Sequence, residues 1–127
     1  MLNRIDKEMQ ALRNIFINYP KQYNILKDKL IRLNNIRQDL LHVLEIGKLN
    51  AIEQMRITKE LKKVSKERRL VKDDLEVLTQ LKSVWEGKTS NKDISEVIGK
   101  IKSKLNHIEN REYNLRVRTD LQQYLNR

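Results

Sequence analysis

Four apolar stripes, each alternating between three- and four-residue steps, run through this chain, and only one proline and three glycines interrupt them. That spacing returns side chains to one side of a 3.6-residue helix, so each stripe is a face that must be covered. The scarcity of Gly and Pro removes the turn chemistry on which a many-stranded sheet depends. Charged residues make up 35 % of the chain and aromatic residues 5 %, a balance that suits long solvated helices. Apolar residues reach 39 % and are spaced rather than scattered, which argues against a disordered chain. The predicted fold is all-α. It is a single domain over 1–127, built of long antiparallel helical hairpins in an elongated, coiled-coil-like bundle.

Leu2, Ile5, Met9, Leu12 and Phe16 predict a first helix over 2–17. It is expected to stop at Asn18-Tyr19-Pro20, because the residue before a proline is pushed out of the helical region. Tyr23, Leu26, Leu30, Leu33, Leu40 and Leu44 predict a second helix over 20–46, with Arg37 at the one seam position that is not apolar. Ile36, Leu41 and Val43 widen this stripe, so packing against two neighbours is expected. Gly47 reads as a helix stop, the alternative being one helix that runs straight through it at a cost of about 1 kcal/mol. Asn50 reads as an N-cap with Glu53 completing a capping box.

The third helix is predicted over 50–86 from Ile57, Leu61, Val64, Val71, Leu75, Leu78 and Trp85. Arg68 and Lys82 interrupt its seam. Arg68 reads either as half of a register-fixing pair with a carboxylate or as the place where the seam turns outward. At 1.5 Å per residue this helix is about 55 Å long and must pair lengthwise. The helix outruns the cover a single chain of this size is expected to give, so a homodimer or a higher homo-oligomer is expected. Gly87–Asn91 is the clearest turn, and Ser90 with Asp93 gives a further cap signal. Ile94, Val97, Ile98, Ile101, Leu105, Ile108 and Leu115 predict a fourth helix over 91–126. Val117, Leu121, Tyr124 and Leu125 carry it on along a rotated stripe, and its period is least regular over 113–118.

Candidate chemistry is sparse. With no cysteine there is no disulfide, thiolate zinc site or thiol nucleophile. No apolar run approaches the roughly 18–20 residues of a membrane span. Arg4, Asp6, Lys7 and Glu8 break up the first apolar residues, unlike a signal peptide, and the cytoplasm is the expected compartment. His42 and His107 each stand alone. Asp73 and Glu76 have a ligand-like spacing, but Leu75 and Leu78 define the buried face, so the acidic run reads as solvated. Gly87-Lys88-Thr89 lacks the earlier glycine and the strand of a phosphate loop. No catalytic residue, metal or cofactor is expected, and the chain does not read as an enzyme.

Charge is the sharper signal. The formal net charge is +10, and residues 56–72 alone hold eight basic groups against two acidic ones. Lys59, Lys62, Lys66 and Arg69 recur at i, i+3, i+7 and i+10 and share one helical face, flanked by Lys63 and Lys72. Such a stripe attracts phosphates through counterion release. It equally fits an acidic protein surface, or plain solvation, and the acidic residues that follow it suit antiparallel self-association. Arg111, Arg116 and Arg118 make a second patch where the last stripe loses its period, and arginine there offers bidentate contacts. Trp85 reads as the cap of the seam at the hairpin end, or as an anchor for a protein partner.

Two resemblances add to this reading. Trp85-Glu86-Gly87 between two helices resembles the Trp-x-Gly turn of the small helical-hairpin proteins of type VII secretion. The C-terminal Tyr-x-x-x-acidic signal of that family is missing, since Tyr113 is followed four residues on by Val117. The segments Lys66–Glu76 and Arg111–Leu121, with the Asn-, Ile- and Lys-rich usage, resemble small helical accessory proteins of phages and prophages of low-GC Gram-positive bacteria. That resemblance implies a non-enzymatic protein that binds a macromolecule, either nucleic acid or a nucleic-acid-handling host protein that it would inhibit. The alternative is a structural coiled-coil component of a virion or of a secretion-type hairpin complex.

Overall fold

The computed structural model describes residues 2–88 and 91–126, and every regular element among them is helical. Helix α1 spans Leu2–Arg13, a π turn spans Asn14–Asn18, and α2 spans Tyr19–Ile46. The three follow one another without a break. The expected stop before Pro20 is therefore corrected: Asn18 (φ −76°, ψ −46°) and Tyr19 (φ −66°, ψ −38°) keep helical backbone. The π turn explains this, because Tyr19 N–H donates five residues back to the Asn14 carbonyl. The widened turn takes up Pro20, whose ring and missing N–H a regular helix interior would not tolerate. Asn14 Oδ1 accepts from Asn18 Nδ2 at 2.8 Å and from Gln10 Nε2 at 3.2 Å, which ties the turn to both sides. The result is one rod of about 67 Å.

Gly47 ends α2 with extended backbone (φ −75°, ψ 147°). Here glycine is needed for space, since a Cβ would collide with the Val43 carbonyl oxygen. Helix α3 then spans Ala51–Trp85. Asn50 caps it as the sequence predicts: its Oδ1 accepts from Glu53 N–H at 2.8 Å, and Asn50 N–H donates to Glu53 Oε1 at 3.4 Å. At the far end Gly87 adopts a left-handed φ of 69°. Lys88 N–H reaches the Ser83 carbonyl and Gly87 N–H the Val84 carbonyl, the paired bonds of a Schellman close. The Ser90 cap predicted for the next helix lies outside the described residues.

α2 and α3 form the antiparallel hairpin that holds the core. Leu33, Val64, Val71 and Leu75 are buried together, with Tyr23, Leu26, Leu30, Ile36 and Leu40 packed around them. At the end away from Gly47, Trp85 meets Tyr23 edge-on, with centroids 5.9 Å apart. Lys82, at a seam position of α3, sets its ammonium 5.1 Å from the centre of the same Tyr23 ring. The cover of α3 is thus supplied within the chain, by α2 and by α4, which spans Asn91–Glu109 and faces α3 through Val97. The sequence argument that α3 itself requires a second copy does not hold.

The fourth helix is shorter than predicted. α4 ends at Glu109, and the chain from 110 to 118 is irregular before a 3₁₀ turn (Thr119–Leu121) and a short α5 (Gln122–Leu125). Two competing sets of bonds end it. Asn110 folds its amide back to the Asn106 carbonyl (3.0 Å) and side chain (2.8 Å). Further on, the Gln122 side chain accepts from Leu115 N–H at 2.7 Å and donates to the Tyr113 carbonyl at 2.6 Å, closing a compact loop.

Candidate anion-binding recess

α3 carries the basic stripe on the side away from the core, and Lys59, Lys62, Lys63, Lys66, Arg69 and Lys72 are all exposed. The expectation that these side chains stay outside the hydrophobic seam agrees with that placement. They do not form one site. Lys59 and Lys62 border a shallow groove with Met55 and Thr58 near the start of α3. Lys63 faces a second groove towards Lys29 and Arg32 of α2, where Glu60 and Glu67 offset it. Lys66 lies exposed on α3, between these grooves and the end of the stripe.

The end of the stripe is different. Arg69 and Lys72 line a recess of about 520 Å³ that the C-terminal segment closes on one side. Arg37 from α2, Arg68 from α3, Lys104 from α4 and Arg111 bring the permanent cations in its wall to six, against the carboxylates Asp73, Glu76 and Glu112. His107 also lines it. Arg111 comes from the second sequence patch, so the structure joins the two patches at this point. Arg116 remains exposed, outside the recess wall, and Arg118 chelates Asp120 through two bonds of 2.9 and 2.7 Å.

Arg111 is the organising side chain. Its Nη2 donates to Asp73 Oδ1 at 2.8 Å, and its Nη1 donates to the Tyr113 hydroxyl at 3.0 Å. Those bonds, the Tyr113 hydroxyl first and Asp73 next, hold its pKa above the ordinary arginine value. Tyr113 in turn stacks under Arg69, with the guanidinium carbon 4.4 Å from the ring centre. A ring that carries one arginine and bonds another fixes two guanidinium planes at the mouth of the recess. Arg68 is fixed from the other side by a hydrogen bond from Nε to Asn34 Oδ1 across the hairpin. It pairs with an amide, where a carboxylate was one expectation.

Of the acidic run, Asp74 stays exposed as expected, and the solvated reading is corrected at Asp73 and Glu76. Asp73 is largely covered by its ion pair with Arg111, and Glu76 lies 3.9 Å from Lys104 of α4. These carboxylates tie the outer segments to α3 rather than standing free in solvent. Among the described residues no group of three His, Asp or Glu side chains converges as metal ligands would. Trp85 is half-buried on Tyr23, the seam-capping place expected for it.

Sequence reasoning missed Arg37, Arg68, Lys104, His107 and Tyr113 as contributors. A signal existed for two of the arginines: Arg37 and Arg68 are polar exceptions in otherwise apolar seams, and both face this recess. Comparison with protein-family models, with curated proteins and with solved structures finds no match to this chain. Its functional reading therefore rests on the recess and on the surface around it. No helix among the described residues is long and apolar enough to cross a membrane.

Proposed function

We propose that this chain is a non-enzymatic accessory protein of phage type, acting in the bacterial cytoplasm, that binds nucleic acid through the recess and the stripe leading to it. The observation that carries the reading is the convergence of Arg37, Arg68, Arg69, Lys72, Lys104 and Arg111 on one concavity from four parts of the chain. A solvated stripe needs no such convergence, because like charges brought together cost free energy unless something neutralises them. Three carboxylates offset only part of that charge, and a phosphate backbone would offset the rest. Guanidinium groups held by Tyr113 and Asn34 are ordered in advance, which favours bidentate phosphate contacts. Tyr113 keeps 41 % of its surface open, enough to meet an unstacked base.

Binding of labelled single- and double-stranded DNA and RNA across a salt series tests this. The slope of log affinity against log salt is expected to be steep and negative. Arg69→Glu with Lys72→Glu should weaken binding and flatten the slope by about one per cation removed, while circular dichroism stays unchanged. No measurable binding at low salt would overturn the nucleic-acid reading. A second reading, a structural helical-hairpin component, draws on the apolar face of α1.

A further inference from the structure

Among the described residues α1 packs against no element except the π turn that continues it. None of its residues is buried. Yet it carries the most regular apolar stripe in the chain: Leu2, Ile5, Met9 and Leu12 leave 80, 42, 62 and 56 % of their surface open, and Phe16 leaves 51 %. α3 cannot cover α1, because its end reaches the π turn and goes no further. The π turn also inserts one residue, which rotates the α1 stripe by about 100° from the seam that α3 fills. Consistent with that rotation, Asn14, Ile15 and Asn18 are half-buried at the turn while Phe16 and Ile17 stay open.

We infer that α1 is a self-association element, and that two copies of the chain pair their α1 helices antiparallel with Met9 opposite Leu12 and Ile5 opposite Phe16. Charge sets both the direction and the register. With the stripe as a heptad seam, Asp6 and Arg13 flank it on one side and Glu8 and Ile15 on the other. Antiparallel packing faces each flank with its own kind. In the Met9–Leu12 register Asp6 of each copy meets Arg13 of the other, and Glu8 meets Ile15. Sliding by one heptad, to set Leu2 opposite Leu12, brings Asp6 against Asp6 and Glu8 against Glu8. That register is repulsive.

A parallel pair would instead need Glu8 to reach Arg13 of the second copy. Glu8 is already engaged by Arg4 of its own helix at 3.3 Å, whereas Asp6 and Arg13 have no ion pair among the described residues. Parallel pairing would also set two bodies of net charge +10 side by side, where the antiparallel form puts them at opposite ends. The five stripe residues expose on the order of 100 Å² each, so two copies would bury about 1,000 Å², the least a specific interface needs.

Sedimentation equilibrium of the whole chain at tens of micromolar tests the inference. The parent is expected to run as a dimer. Met9→Glu with Leu12→Glu is expected to run as a monomer with an unchanged helical spectrum, since neither side chain belongs to the core. Asp6→Arg should weaken the dimer several-fold, and adding Arg13→Asp to it should restore the parent affinity. Because the chain has no cysteine, single thiols report direction cleanly. A mixture of Ile5→Cys and Phe16→Cys chains should form the mixed disulfide. Ile5→Cys alone should not cross-link, since its two copies would lie about 16 Å apart, well beyond disulfide reach. A monomeric parent overturns the inference and leaves the stripe to a different protein. Cross-linking of Ile5→Cys alone, or failure of the double charge swap to rescue, overturns the antiparallel register.

Discussion

Arg111 joins two parts of the molecule through two hydrogen bonds, one to Asp73 on α3 and one to Tyr113 in its own segment. With the stacking of Tyr113 on Arg69, the Asp73 bond holds the irregular segment against α3. Asp73→Asn is therefore expected to release it: amide exchange over 110–118 should quicken several-fold while the helical signal of α2 and α3 is retained. Protection unchanged in that segment would mean that the Arg69–Tyr113 stack and the Gln122 contacts hold it without Asp73. A second residue-scale expectation concerns Asp120. Its carboxyl is held below the ordinary value of 3.8, chiefly by the hydrogen bonds from Arg118. A depressed carboxylate contributes stability above its unfolded pKa and loses it as pH falls through the folded pKa, so the C-terminal turn should loosen only in the acid range. An NMR titration of Asp120 should give a midpoint below 3.8, and Arg118→Ala should raise it.

Element boundaries show where local chemistry suffices and where it does not. The capping box of Asn50 and Glu53 is visible in four letters of sequence because every group involved lies within three residues. Asn50→Ala is expected to cost about 1 kcal/mol of stability, read from chemical denaturation. The Schellman close at Gly87 is equally local and equally legible. The Pro20 reading failed because a proline's bias against helix acts on a regular turn, and the π turn at Asn14–Asn18 changes which carbonyl needs a donor. The end of α4 was obscure for the opposite reason. Its stripe permits a longer helix, and contacts from 106 to 122 along the chain outcompete it.

On the scale of the whole molecule, a helix of 45 residues sets the length and a single seam between α2 and α3 sets the stability. Leu75 sits in that seam with 9 % of its surface open. Leu75→Ala is expected to cost about 2–4 kcal/mol, seen as a clear fall in the denaturation midpoint. A compact chain of this length would have a radius of gyration of about 14 Å. X-ray scattering should give a value well above that, since the α1–α2 rod alone spans about 67 Å.

That Gly47 ends α2 and that the faces of α2 and α3 pair are decided by the structure, whereas fold class, those two apolar faces and the cap at Asn50 were determined by the sequence alone. Each depends on spacing or capping that acts over one or two turns, and a period of 3.6 residues expresses it directly. The basic stripe was legible for the same reason, as was the exclusion of its lysines from the core. What only the tertiary structure decided is which charges meet. Arg37, Arg68, Lys104 and Arg111 are between 7 and 74 residues apart along the chain. They line one recess because the hairpin folds α2 back on α3 and Asp73 draws the segment after α4 onto α3. No periodicity encodes such a meeting, since it follows from where packed helices end and from a single ion pair. The open stripe of α1 shows the same division: its apolar face is written in five residues, but that α3 stops short of it is a property of the assembled fold.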